Sequence, residues 1–316
     1  MKKTKLAILV PCFNEEEVIQ ETNKRLLKVL DELIEESKID KESIIFYVND
    51  GSRDNTWNII ERLSEDDKRV KGISFSRNFG HQNALYAGLM YSKDYVDCVI
   101  SIDADLQQDE KAIAKFIDKF HEGFEIVNGV RLDRNTDTFF KRFSATLFYK
   151  LMKFMGVDII ENSADFRLVS SRVIEELSHF KEVNLFLRGI FPTLGFKTTT
   201  VEHEVRDRFA GKSKYSLKKM LLFAVEGITS FSIFPIRVIT LIGFISTVFC
   251  CFMILYVFFV LIFTDNVVAG WASTVIPLYF LGSIQLLSLG VIGEYIGKIY
   301  LESKGRPRYI VDRVIK

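Results

Sequence analysis

Cysteine is scarce in this chain of 316 residues: there are four, and none is spaced for a metal ligand set or a disulfide framework. Cys12 and Cys98 stand alone, Cys250 and Cys251 are adjacent, and all lie inside apolar stretches. That excludes a disulfide-stapled scaffold and points to a reducing compartment around the soluble part. Net charge is nearly absent as well. With 42 basic against 41 acidic residues the formal balance is +1, which carries no signal for a nucleic acid, and none is expected as a partner. Neither G-x-G-x-x-G nor G-x-x-x-x-G-K-[ST] occurs, so a dinucleotide fingerprint and a P-loop are excluded. Any phosphate must be held by a metal and basic side chains instead. No signal peptide is legible: the apolar run Leu6 to Val10 behind the basic start is too short and ends in Pro11, so the N-terminal part is expected in the cytosol. Internal repeats and low-complexity segments are also missing.

What is present divides the chain in two. Up to about Gly211, charge and apolar residues alternate as in a soluble protein. Beyond it, Val238 to Phe263 and Ala272 to Gly293 carry no charged residue. A span needs about 20 residues, and neither run has a polar face, so two membrane helices are expected. The connection Asp265 to Trp271 has no Lys or Arg, while Arg237, Lys298, Lys304, Arg306, Arg308, Arg313 and Lys316 flank the pair. The positive-inside rule then sets both flanks in the cytoplasm. Gly293 and Gly297 have the small-xxx-small spacing that lets helices approach, within one chain or between copies.

In the first part, apolar strands at Lys5 to Val10, Ile44 to Val48, Val70 to Phe75, Cys98 to Ile102 and Phe124 to Val127 alternate with helical patterns. Such alternation predicts an α/β fold with a mostly parallel sheet, its strand ends gathered at one rim by right-handed crossovers. That rim collects Pro11 to Glu15, Asp50, Arg77 to Gln82 and Asp103 to Gln107, with Asn14 expected to cap the first helix. Asp103 and Asp105 are one residue apart at the end of a buried strand. They repel unless a cation lies between them, and a hard divalent ion carrying a diphosphate meets that need. The alternative is an Asp that caps the helix starting near Asp109, with a solvated neighbour.

Further on, 138–155 interleaves Phe139, Phe140, Phe143 and Phe148 with Lys141, Arg142, Lys150 and Lys153. It is either a membrane-surface helix or a core helix with a basic edge. Asn162 to Leu168 is a loop or strand, and Leu194 to Val205 has strand character. The basic loop Arg206 to Tyr215 precedes a helix expected over Leu217 to Phe231. It is read as a lid that closes over anions, or as a patch that attracts lipid headgroups.

Pro11-Cys12-Phe13-Asn14-Glu15, Asn49-Asp50-Gly51-Ser52-Arg53-Asp54, Ser76-Arg77-Asn78-Phe79-Gly80-His81-Gln82, Asp103-Ala104-Asp105-Leu106-Gln107 and Ala164-Asp165-Phe166-Arg167 follow in that order. The series resembles the family 2 glycosyltransferases of GT-A fold. Arg208-Phe209-Ala210-Gly211-Lys212-Ser213-Lys214-Tyr215 ahead of two spans narrows it to the polyprenyl-phosphate glycosyltransferases, the branch with dolichyl-phosphate mannose synthase and bactoprenol glucosyltransferases. The resemblance implies a cytosolic GT-A domain at 1–211, a Rossmann-like, mostly parallel sheet. After it come a juxtamembrane amphipathic helix at 212–235, two transmembrane helices within 236–300 and a basic cytosolic tail at 301–316.

The resemblance also implies that Pro11, Phe13, Glu15 and Asp50 hold the base and ribose of a nucleotide sugar. Asp103, Asp105 and Gln107, with Ala104 between, would hold Mg²⁺ or Mn²⁺ against the diphosphate. Arg131, Arg208 and Lys214 match phosphate-meeting positions, Arg134, Arg167 and Lys212 are assigned to the acceptor phosphate, and Asp165 is the acid beside the sugar. The implied activity is metal-dependent, inverting transfer of one sugar, from a UDP-glucose-like donor, to polyprenyl phosphate at the cytoplasmic face of a cell membrane. A homo-oligomer and a small membrane flippase are the implied protein partners. Asn49 replaces the first of a common Asp pair, and Phe13 stands where Tyr is frequent.

The chemistry agrees with this. A lipid phosphate, with its second pKa near about 6, is already mostly ionised at neutral pH and needs little help from a base. Asp165 is therefore expected to orient the acceptor or support the sugar's developing charge. A structural ion pair between Asp165 and Arg167 is the alternative. A processive polysaccharide synthase would carry Gln-x-x-Arg-Trp, yet Trp57 and Trp271 lie in no such setting. A non-catalytic scaffold would be expected to lose some of Asp50, Asp103, Asp105 and Asp165, and all four are present.

Overall fold

A computed structural model of the protein describes residues 3–132, 160, 163–182, 186–204, 234–263 and 271–316. Among the described residues eight strands are formed: β1 Leu6–Cys12, β2 Ile44–Asn49, β3 Val70–Phe75, β4 Cys98–Ser101, β5 Ile126–Arg131, β6 Ser163–Ser170, β7 Thr198–His203 and β8 Val311–Ile315. They make one sheet in the order β7-β5-β6-β4-β1-β2-β3-β8. The pairs β1–β2, β2–β3, β1–β4 and β5–β7 are parallel. β6 runs antiparallel between β4 and β5, and β8 antiparallel along β3. The result is an α/β sheet, mostly parallel, as the alternation of patterns predicts.

The helices are α1 Ile19–Glu35, α2 Thr56–Asp66, α3 His81–Ser92, α4 Ala112–His121, α5 Ser171–Ser178, α6 Leu187–Thr193, α7 Phe234–Phe263 and α8 Trp271–Ser303. Because side chains alternate along a strand, β1 feeds two cores. Leu6, Ile8 and Val10 pack with Leu26 and Leu30 of α1 and Phe116 of α4, while Ala7 and Leu9 pack with Leu85 and Leu89 of α3. With both faces covered, these central strands read as unbroken apolar runs. α3 lies so close to β1 that a Cβ at Gly88 would meet Leu9 Cδ1 at 2.1 Å.

Asn14 does not cap α1. It takes φ 54°, and its Oδ1 accepts a hydrogen bond from Arg53 N at 2.8 Å, joining the loop after β1 to the loop after β2. The cap position of α1 is Val18, which offers no side-chain acceptor. The helix near Asp109 begins at Ala112 without a side-chain cap, so neither Asp103 nor Asp105 is used in that way.

Residues 311–315, read from sequence as part of a basic tail, form the edge strand β8. Ser76 N donates to Ile310 O at 3.0 Å, and the Tyr309 ring stacks on Phe75 with centroids 5.1 Å apart. Arg308 donates to Phe180 O and lies over the Tyr86 ring. The chain thus returns to the sheet after α8. Among the described residues one stretch, Phe280–Ser303, is long and apolar enough to cross a membrane, with mean hydropathy 1.3. α7 also presents exposed Phe244, Phe252, Phe259 and Phe263. The expected helices at 138–155 and 217–231 and the loop 206–215, with Arg134, Arg208, Lys212 and Lys214, lie outside the described residues.

Candidate active site

The loops after β1, β2 and β4 meet at one rim, as parallel strands require. Asp50, just past β2, is buried. Its Oδ1 accepts from Phe79 N at 2.6 Å and its Oδ2 from Gly80 N at 2.9 Å, so it fixes the turn that starts α3. Burial raises its carboxyl above the ordinary value against the pull of these two donors. Next to it Gly51 takes φ +64°, and a Cβ there would stand 2.3 Å from the Arg77 carbonyl carbon. Asn49, the departure from the common Asp pair, donates to Ser74 Oγ at 2.8 Å and accepts from Ser52 N at 3.2 Å. Its amide therefore ties β2 to β3 as a donor and holds the turn after β2 as an acceptor, using both of its functions. Pro11 is buried in β1, while Phe13 and Glu15 are half-buried on the loop beyond it.

The Asp-Ala-Asp turn follows β4. Asp103 exchanges two hydrogen bonds with the Gln108 side chain: its N–H donates to Oε1 at 2.9 Å, and Nε2 donates to Oδ2 at 2.8 Å. Asp105 Oδ1 accepts from Gln107 N at 3.1 Å, and Leu106 takes φ 59° to close the turn. Thr22 of α1 donates to Ala104 O at 2.8 Å, anchoring the turn from the other side. The Asp103 side chain keeps 39% of its surface open. Desolvation in the cleft nevertheless raises its pKa, with the charges of Asp165 and Asp105 adding to the rise and His81 opposing it.

Asp165, on β6, faces this turn. Arg188 of α6 grips it with two bonds of 3.0 Å, Nε to Oδ1 and Nη2 to Oδ2. His81 Nε2 stands 3.3 Å from Asp165 Oδ2 and 3.9 Å from Asp103 Oδ1, bridging the two acids. Gln82 donates to Asp165 Oδ2 at 3.3 Å, and its Oε1 accepts from Leu187 N at 3.1 Å, locking α3 to α6. Burial pushes the Asp165 carboxyl up, but Arg188 and His81 outweigh it and hold the group well below the usual carboxylate range.

The alternative of an Asp165–Arg167 ion pair is not what forms. Arg167 instead donates from Nε to Asn128 Oδ1 at 2.5 Å, with its guanidinium 4.5 Å over the Phe191 ring. Arg131 is exposed at the end of β5, paired in register with His203. The sequence pattern points to none of Arg188, Gln108 and Asn128. His81 and Gln82 lay inside a recognised motif without a role. Arg188 has no local signal, being brought to Asp165 from 23 positions further along the chain.

The residues at the Asp-Ala-Asp turn suit a hard divalent cation. Asp103 and Asp105 are oxygen donors, and the rise of the Asp103 carboxyl, caused first by desolvation and then by the charges of Asp165 and Asp105, is the kind a cation relieves. Among the described residues no group of three His, Cys, Asp or Glu forms a metal cage, so further ligands would come from phosphate oxygens, the usual arrangement for Mg²⁺.

The mostly parallel sheet is GT-A-like, and a family match over most of its strands makes the chain a glycosyltransferase. Residues 7–178 match Glycosyl transferase family 2, and the chain belongs to that family. Its relatives align along nearly their whole length. The glycosyltransferase YkoT of Bacillus subtilis (strain 168), itself described as uncharacterized, is 53% identical over 97% of this chain and 91% of its own. The bactoprenol glucosyl transferase of Shigella phage SfX is 42% identical over 97% of this chain and 98% of its own. Among solved structures, glucosyl-3-phosphoglycerate synthase from Mycobacterium tuberculosis, in complex with Mn²⁺, UDP and phosphoglyceric acid, aligns with a TM-score of 0.48. Its identity is 16%, over 72% of this chain and 76% of that one.

Proposed function

We propose that the protein transfers a single glucose from UDP-glucose to undecaprenyl phosphate at the cytoplasmic face of the cell membrane, giving a polyprenyl-phosphate sugar for envelope glycan modification. The observation that carries this reading is the meeting of the two acidic groups, with His81 within 3.3 Å of Asp165 and 3.9 Å of Asp103. Relatives named bactoprenol glucosyl transferase support the acceptor.

In this reading Pro11, Phe13, Glu15 and Asp50 surround the nucleoside. Mg²⁺ or Mn²⁺ held by Asp103 and Asp105, with Gln107, would neutralise the leaving diphosphate. Arg131, Arg208 and Lys214 add fixed positive charge there, and Arg134, Arg167 and Lys212 serve the acceptor phosphate. Asp165 is a poor proton acceptor, because its cationic neighbours favour the ionised form. Its charge instead steadies the positive anomeric carbon while the acceptor dianion attacks from the opposite face, inverting the configuration. α7 and α8 are the two spans, with both ends cytoplasmic. Gly293 and Gly297 suit close helix contact in a homo-oligomer, and a small flippase would take the product across.

The test is the full chain in membranes, given UDP-[¹⁴C]glucose and undecaprenyl phosphate, with the lipid extracted for label. Label in the lipid, abolished by EDTA and by Asp105→Ala with the melting temperature kept, is the expected result. Full transfer in EDTA, or no lipid product from UDP-glucose, UDP-N-acetylglucosamine, UDP-galactose or GDP-mannose, overturns the reading.

A further inference from the structure

The chain leaves α8 at Ser303, and by Tyr309 it is packed against the sheet. Those six residues span at most about 22 Å, so the end of the long apolar helix lies close to that contact. β8 runs antiparallel to β3, pairing Phe75 with Val311 and Gly72 with Ile315. Its first residue therefore meets the end of β3 that carries the loop 76–80, and its last lies toward the opposite end. Ser76 N donates to Ile310 O at 3.0 Å, so the pairing continues past β3 into the loop itself.

From Tyr309 a file of rings leads into the rim. The Tyr309 ring stacks on Phe75 at 5.1 Å and 16°, and Phe75 meets Phe79 edge to face at 5.8 Å and 89°. Phe79 carries the Arg77 guanidinium over its ring at 4.0 Å, and its N–H is one of the two that hold Asp50. All three rings pack into one core with Phe46, Ile73 and Leu85. Arg308, next along the chain, donates to Phe180 O and lies 4.3 Å over the Tyr86 ring of α3, which fixes Tyr309 between α3 and the end of β3. The turn at the end of this file has little of its own to hold it. Gly80 takes φ +96°, and α3 begins there without a side-chain cap. A turn built on glycine's conformational freedom needs outside contacts to stay in one form.

We propose that Tyr309 is a positioning residue for the nucleotide. Through Phe75 and Phe79 it holds the turn that orients Asp50 and Arg77, so the segment returning from α8 completes the donor pocket. The inference rests on the reading of the rim as a nucleotide-sugar site. Tyr309 itself touches no substrate. It narrows the conformations open to the turn and so lowers the ordering cost that nucleotide binding must meet. Its loss weakens donor binding and leaves the acceptor side, assigned to Arg167 on β6, as it was.

The test uses the full chain in lipid nanodiscs, with UDP and Mn²⁺ as the binding probe. Tyr309→Ala is expected to raise the UDP-glucose KM and the calorimetric Kd for UDP by about fivefold, the scale of one aromatic pair. The kcat and the undecaprenyl phosphate KM should change by less than about twofold. Tyr309→Phe, which keeps the ring, should bind UDP like the unmodified protein. Ile315→Ala is the control, since it loosens the far end of β8, where Ile315 pairs with Gly72. It should lower the melting temperature without moving either donor constant. Hydrogen exchange over 76–82 reads the turn directly and should quicken in Tyr309→Ala and not in Ile315→Ala. Should Tyr309→Ala misfold, Tyr309→Leu, which keeps apolar bulk without the stack, carries the same comparison. A donor KM and a UDP Kd both within about twofold of the unmodified protein overturn the proposal. An equal rise in Ile315→Ala, or an equal rise in the acceptor KM, also overturns it, because either would mean general loosening. If the unmodified protein binds no UDP, the functional reading fails separately, and exchange over 76–82 still decides whether Tyr309 holds the turn.

Discussion

Replacing Arg188 by alanine strands the Asp165 carboxylate, and the cost follows from the geometry. Asp165 is 7% exposed and loses two charge-assisted bonds of 3.0 Å each. Removing one partner of a buried pair costs about 3–5 kcal/mol, because the remaining charge stays buried. His81 and Gln82 still face Asp165, each at 3.3 Å, and Arg188 is itself 28% exposed, which argues for the lower end of that range. A loss of about 3 kcal/mol corresponds to a fall of roughly 6–12 °C in melting temperature for a domain of this size.

Thermal melts of the full chain in detergent would read the loss, with Asp165→Asn and the double variant alongside. If the unpaired charge is the cause, the double variant recovers at least about half the loss, since removing both partners leaves no buried charge. The dependence on pH has a definite sign. Because the folded pKa of Asp165 is depressed, its pairing contributes fully above the unfolded carboxylate value of about 3.9 and is lost as pH falls through the folded value. The gap between the unmodified protein and Arg188→Ala should therefore be widest near neutrality and narrow in acid. A fall of less than about 2 °C, or a double variant no more stable than the single one, would refute this account.

Gly51→Ala should cost about 1–3 kcal/mol and weaken donor binding, because the left-handed turn has no room before the Arg77 backbone; melts and the donor KM would check both. Burial pushes the Cys12 and Cys98 thiols well above their usual range, so iodoacetamide at mildly alkaline pH should spare both until the protein unfolds, as peptide mass spectrometry would show. Ending the chain after Pro307 removes β8 and the Tyr309–Phe75 stack, exposing the β3 edge. The truncated protein should melt lower and aggregate on size exclusion, and an unchanged melt would show that the edge strand contributes nothing.

The sheet's central strands and the acidic turn are legible in local pattern alone. Leu6 to Val10 and Cys98 to Ile102 are apolar at every position but Ser101, a pattern that only a strand covered on both faces requires. A pair of aspartates directly after such a run has to lie at the strand's end, where parallel topology gathers loops. These are local facts, set by residues within a few positions of one another. The partners of the buried charges are not. Read along the chain, Arg167 is the obvious mate for Asp165, but residues two apart on a strand sit about 6.6 Å apart and stand side by side, both perpendicular to the sheet. Arg188 reaches Asp165 end-on from a different element, and that approach exists only once α6 has packed over β6. The same holds for β8. Val311 to Ile315 is short and carries two charges, so nothing in its own pattern demands a strand. It becomes one because β3 leaves a row of unpaired N–H and C=O groups at the edge of the sheet, and an open edge binds whatever segment the fold brings to it. Pattern sets the elements, whereas which charge meets which is decided by tertiary packing, where polar groups from distant elements are forced to satisfy one another out of water.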